Sequence, residues 1–167
     1  MIHPLLINKK KFNTFLEVVK MINNTFKINP ILYGSLGLNL CIGEEKVSAD
    51  IDIVVPDELI RRKWPELISL MERLHFELKN EHEREFARGE MKIAFARESD
   101  LYKLVGINPE SLERVKINTA RFKVLSANQY LQVYSLMEED KYRKERRGSD
   151  QEKVVRIKEF LKHKKGK

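Results

Sequence analysis

Ala49-Asp50-Ile51-Asp52-Ile53-Val54-Val55 alternates acid and aliphatic residues before closing on a branched pair, and Pro56 follows. Branched aliphatic residues favour an extended chain, and Pro56 stops it, so Ile51 to Val55 reads as a strand. Alternate side chains of a strand share a face, which sets Asp50 and Asp52 side by side, ~6–7 Å apart along the backbone. Ile51, Ile53 and Val55 then face the core. Two carboxylates this close repel one another unless a cation or a proton lies between them. Mg²⁺ suits such a pair, because it takes one or two carboxylates and completes its shell with water and phosphate oxygens. An edge strand with a polar face is the alternative reading.

Upstream, Ile31-Leu32-Tyr33 is a short apolar run that ends at Gly34-Ser35. It reads as a buried strand entering a tight turn, with a short buried helix from Leu36 to Ile42 closed by Gly43. Glycine lets a backbone approach a phosphate closely, and the following amides and the Ser35 hydroxyl can donate to it. A Gly-Ser pair alone is a turn. Strand, Gly-Ser, helix, then a strand with paired aspartates is a much rarer order.

This order resembles the nucleotidyltransferase superfamily, in particular its minimal single-domain bacterial members. Their signature is a hydrophobic residue, Gly-[Gly/Ser], a spacer and Asp-hydrophobic-[Asp/Glu]-hydrophobic. Here it reads Tyr33-Gly34-Ser35, a long spacer of residues 36–49, and Asp50-Ile51-Asp52-Ile53. The resemblance implies that Gly34 and Ser35 hold a triphosphate and that Asp50 and Asp52 bind Mg²⁺ or Mn²⁺ and carry catalysis. The implied reaction passes a nucleoside monophosphate from an NTP to an acceptor hydroxyl and releases pyrophosphate.

Near the C-terminus, Arg143-Lys144-Glu145-Arg146-Arg147-Gly148-Ser149-Asp150 resembles the Arg/Lys-rich helix end and Lys-Asp pair of toxin-like relatives, with Ser149 at the usual Lys position. Arg143, Arg146 and Arg147 are accordingly expected to meet the triphosphate or a polyanionic acceptor. Active members also carry a third acid on the strand after a hairpin. The matching stretch is Met91-Lys92-Ile93-Ala94-Phe95, which sets Ala94 where that acid belongs. Lys92, on the same face, could serve electrostatically as a nucleotide-binding cation; a solvent-facing strand lysine is the plainer reading. Ala94 weakens the case for catalysis more than the case for nucleotide binding.

Ahead of this region, Phe12, Phe15, Leu16, Val19, Ile22 and Phe26 recur at helical spacing and predict a helix over roughly 9–26. Leu59 to Leu74 predicts another over 57–75, irregular near Pro65. Arg88-Gly89 reads as the turn of a hairpin between strands over 81–87 and 90–96. Asn108-Pro109 reads as a helix start, and Arg121 to Leu125 as a strand. Ser126-to-Gln129 and Ser149-to-Glu152 match the capping box, so the chain is expected to end in two helices parted near Gly148. The expected fold is α+β: a nucleotidyltransferase-like mixed sheet flanked by helices. A core over 1–125 is followed by a basic helical extension over 126–167 that packs on it.

With 167 residues, 42% hydrophobic and 34% charged, the chain is long enough to bury a substantial core. The net charge of +7 is uneven: residues 141–167 hold 12 Lys/Arg against 4 Asp/Glu, which exceeds the whole basic excess. Such a segment attracts phosphates, or is simply a solvated helix face. Cys41 is the single cysteine, which excludes an internal disulfide and points to a reducing cytoplasm. No stretch approaches the ~20 apolar residues of a membrane span, and the N-terminus lacks the basic and small-residue marks of a secretory signal. The four histidines show no metal-ligand spacing. Cys41, Trp64 and the Tyr130/Tyr134/Met137 stripe read as packing residues.

The partners expected are an NTP, RNA or another polyanionic acceptor, and a protein partner, with no membrane. The alternatives to an enzyme are a catalytically impaired nucleotide- or RNA-binding relative, and a toxin–antitoxin or other interaction component.

Overall fold

The computed structural model describes residues 6–139 and 147–165, with side chains 138–149 outside the description. After a 3₁₀ turn at Leu6–Asn8, helix α1 (Lys9–Phe26) leads into β1 (Ile31–Tyr33), α2 (Gly34–Ile42) and β2 (Ile51–Val55). Two helices follow, α3 (Asp57–Arg61) and α4 (Trp64–Arg73), then β3 (Glu77–Asn80), β4 (Glu85–Arg88) and β5 (Met91–Arg97). Segment α5 (Glu98–Asp100) runs into a π-helical turn at Leu101–Val105. A 3₁₀ turn at Pro109–Ser111 precedes β6 (Glu113–Ile117) and β7 (Ala120–Val124), and α6 (Ala127–Glu139) and α7 (Arg147–Lys165) follow.

The strands form one mixed sheet in the order β3-β4-β5-β2-β1-β7-β6. β2 sits near its centre, antiparallel to β1 and parallel to β5. Both of its faces are covered, which is why Ile53, Val54 and Val55 are all buried. On one face, Phe12, Phe15 and Ile22 of α1 and Leu67 and Met71 of α4 pack with Ile51, Ile53 and Val55. On the other, Leu38 of α2, Tyr130 and Val133 of α6, and Val154 and Ile157 of α7 pack with Ile31 and Val54. The α+β fold and the mixed sheet are therefore as the sequence implies. The second cluster joins residues from both sides of position 125.

Several local expectations change. The region 57–75 is two helices, because Pro65 occupies the first turn of α4, where its missing N–H costs nothing. Asn108 does cap the segment after it, its Oδ1 accepting from Glu110 N at 3.0 Å, but only one 3₁₀ turn follows. The Ser126 box forms in full: Ser126 Oγ accepts from Gln129 N at 3.2 Å, and Gln129 Oε1 from Ser126 N at 2.8 Å. Ser149, whose side chain lies outside the described residues, is not at a helix start. α7 already begins at Arg147, so Ser149 lies inside the helix, and Gly148 is within it rather than between two helices.

Candidate active site

β1 is only three residues long, and its last residue decides the site. Tyr33 pairs with Asp52, so Gly34 follows immediately beside the start of β2. Gly34 has φ +69° and opens α2. A Cβ on it would lie 2.1 Å from Asp52 Oδ2 and 2.9 Å from Asp52 Cγ. The glycine turn is thus packed against the aspartate carboxylate, and only a residue without a side chain fits. Ser35 is tied to the same place, its Oγ accepting from Ala49 N at 3.2 Å. The first amides of a helix have no partner inside it, so the α2 ladder leaves its opening donors at this turn for other acceptors.

Asp50 occupies the bend just ahead of β2 and, like Asp52, is half-buried. The spacer that delivers it is held by distant residues. Asn8 Nδ2 and Asn39 Nδ2 both donate to Lys46 O at 2.9 Å. The backbone amide and hydroxyl of the buried Ser48 donate to Asn8 Oδ1 at 3.3 and 3.2 Å, and Lys11 Nζ donates to Ser48 O. Helix α7 closes the arrangement: Arg156 donates to Asn39 Oδ1 at 2.7 Å and pairs with Glu44, while Glu152 pairs with Lys46. Sequence spacing gave no hint of these anchors, which lie up to 117 residues from their partners.

Ala94 lies directly beside Asp52 in the parallel β2–β5 pairing, the register counted from the sequence. Glu98 and Asp100 do not fold back to replace the missing acid. They lie past the far end of β5, where Asp100 pairs with Arg97 at 2.9 Å. Ile51 pairs with Ile93, which puts the exposed Lys92 level with Asp50 on the face that carries Asp52. Arg143 and Arg146 lie outside the described residues, as does the side chain of Arg147. Asp150 is buried in the first turns of α7, 3.8 Å from Lys153 Nζ.

The donor set is hard oxygen on a solvent-reached turn, which fits Mg²⁺ or Mn²⁺ shared with phosphate oxygens. Among the described residues no group of three or more His, Cys, Asp or Glu could cage a metal by protein ligands alone. Beyond Asp52 on the same face, a cavity of about 340 Å³ opens between the sheet and α6. Tyr33, Val54, Ala96, Leu101, Val133 and Met137 are among its walls. Cys41 is half-buried with its thiol pushed up by burial, and Trp64 packs edge-on to Phe86. Among the described residues no helix is long and apolar enough to cross a membrane.

No protein-family model matches the chain. It is 31% identical over 146 residues to the "Uncharacterized protein YnaI" of Bacillus subtilis (strain 168), across 87% of this chain and 94% of that one. Among solved structures it is similar to an antigenic nucleotidyltransferase-like protein from Paracoccidioides brasiliensis, with TM-score 0.60 and 15% identity. That match covers 89% of this chain and 75% of the other. It is also similar to ANT(2″)-Ia, solved in complex with adenylyl-2″-tobramycin, with TM-score 0.50 and 12% identity, over 92% of this chain and 98% of the other. The shared fold, with Gly34 set against Asp52 at its centre, and the likeness to YnaI lead to one assignment: the chain belongs to the family of YnaI and has the nucleotidyltransferase fold.

Proposed function

We propose that this protein transfers a nucleoside monophosphate from an NTP to an acceptor hydroxyl and releases pyrophosphate. The observation that carries the reading is the contact between Gly34 and the Asp52 carboxylate. Helix-start amides beside one carboxylate, with a second acid two residues before it, are what a metal–triphosphate complex needs. In this reading the Gly34-Ser35 turn receives the triphosphate, Asp50 and Asp52 hold Mg²⁺ or Mn²⁺, and Lys92 adds positive charge level with Asp50. Arg143, Arg146 and Arg147 are proposed to meet the triphosphate or a polyanionic acceptor such as RNA. The bound cation would neutralise charge as the phosphoryl group is transferred. The chain's own residues hold the phosphates and keep the reacting groups in line. ANT(2″)-Ia is named with an adenylylated tobramycin, so small hydroxylated molecules belong beside RNA and protein in the acceptor pool. The single cysteine fits work in a reducing cytoplasm.

The second reading, a nucleotide-binding relative without catalysis, rests on Ala94 standing in register with Asp52. One experiment separates the two. The protein is incubated with each labelled NTP, Mg²⁺ or Mn²⁺, and total cellular RNA or lysate, beside an Asp50→Ala/Asp52→Ala variant. Label moving to an acceptor with wild type and not with the variant supports transfer. Metal-dependent NTP binding without any transfer supports the second reading, and neither binding nor transfer sinks both.

A further inference from the structure

The strand register provides a carboxylate that the signature does not contain. Tyr33 pairs with Asp52, Asp52 with Ala94, and Ala94 with Glu85. These four residues form one row across β1, β2, β5 and β4, and paired residues of neighbouring strands project to the same face of a sheet. Their burial agrees. Phe86 and Ile93, one position away from Glu85 and Ala94, are fully buried on the opposite face. Glu85 therefore stands on the Asp52 face two strand spacings from Asp52, or ~9.5 Å between backbones. In that row Ala94 is the residue between them.

We propose that Glu85 is the proton acceptor for the acceptor hydroxyl, reaching over Ala94 toward the group bound at Asp52. The inference rests on the transfer reading above. A hydroxyl attacking the α-phosphorus must give up its proton, and carboxylates engaged with a cation are poor bases. Of the other groups nearby, Lys92 is a cation, and Glu98 and Asp100 lie past the far end of β5. Glu85 is half-buried and has no hydrogen bond or ion pair among the described residues, so its carboxylate is not committed elsewhere. Its separation from Asp52 suits a base standing off from the cation, and it falls in no metal-holding group among the described residues. In the step, the hydroxyl O–H bond breaks and its proton passes to the Glu85 carboxylate. The new bond joins that oxygen to the α-phosphorus, and the α–β bridging P–O bond breaks. Pyrophosphate leaves with that electron pair.

The test uses labelled NMP transfer, pH–rate profiles and calorimetry of NTP with Mg²⁺. Glu85→Gln should lower kcat by ~10²–10⁴-fold and remove the acidic limb of the kcat profile. NTP affinity, KM for NTP and melting temperature should stay at wild-type values. Adding Ala94→Asp to Glu85→Gln returns a carboxylate to the row one strand nearer Asp52, and should restore much of the rate and the acidic limb. A Glu85→Gln enzyme with wild-type kcat and pH limb would overturn the proposal, as would failure of Ala94→Asp to rescue it. Loss of Mg²⁺-dependent NTP affinity as large as in Asp52→Asn would overturn it too, by making Glu85 a ligand. Wild type that transfers no NMP to any acceptor defeats the transfer reading itself, a result distinct from transfer that ignores Glu85.

Discussion

Gly34 and Asp52 are held so closely that a methyl group on the glycine would lie 2.1 Å from Oδ2 of the aspartate. Gly34 also has φ +69°, a backbone state that costs an L-residue ~1–2 kcal/mol. Gly43 shares that φ of +69° but has nothing within 4 Å of where its Cβ would be. The pair separates backbone strain from the site. Gly34→Ala and Gly43→Ala should both lower the melting temperature by several degrees. Gly34→Ala should in addition weaken Mg²⁺-dependent NTP binding by tenfold or more, and Gly43→Ala should leave it near wild type. Calorimetry on the two variants checks this, and equal binding losses would show that strain alone is at work.

A second glycine acts on packing rather than on chemistry. A Cβ on Gly37 of α2 would lie 2.1 Å from the Tyr130 hydroxyl, in the cluster that joins α2 to α6. Gly37→Ala should therefore destabilise the protein by ~1–3 kcal/mol, the usual cost of overpacking. Removing the hydroxyl relieves the worst contact and leaves the ring carbon at 3.3 Å. Gly37→Ala/Tyr130→Phe should thus melt above Gly37→Ala. A double variant no more stable than the single one would mean that another neighbour resists the methyl group.

Glu98, at the far end of β5, offers a pH test of stability. Burial pushes its carboxyl up, against a smaller opposing pull from Lys123. A raised folded-state value means that the protonated form favours the fold. That contribution is complete below the ordinary glutamate value of ~4.3, and is lost as pH rises through the folded-state value. Glu98→Gln keeps a neutral side chain at every pH. The variant should melt higher than wild type at neutral pH and together with it below the ordinary glutamate value. Coincident melts at neutral pH would remove burial as the dominant influence on this carboxyl.

Local chemistry was the legible part of the fold. The period-two alternation of Asp50 to Val55, the glycine turn at Gly34 and the helical stripe of α1 each need only neighbours in sequence. So does the Ser126 capping box, and counting along Met91 to Phe95 put Ala94 in the correct row. β6 stands where Asn108-Pro109 reads as a helix start: Val115 and Ile117 alternate inward, but two partly buried positions are too few for a period of two to outweigh the cap signal. β3 is an edge strand with only Leu78 packed inward, too little for any period to register. Glu85 could be found only after the β4–β5 register was fixed, since pairing is not written in the composition of either strand. The anchors of the spacer were beyond reach for the same reason: Asn8, Asn39 and Arg156 are ordinary polar residues until the fold brings them together.

The grip of α7 on that spacer has a consequence for how the chain can be divided. Every residue of the Gly-Ser and Asp-Ile-Asp signature lies within the first third of the sequence, which invites treating the last helix as an accessory. Yet Arg156 and Glu152 of that helix fasten Glu44, Asn39 and Lys46, on either side of the turn leading to Asp50. The end of the chain works as a clasp on its beginning. A shortened protein that kept the whole signature would lose the fastening of the strand approach that aims one of its two acids.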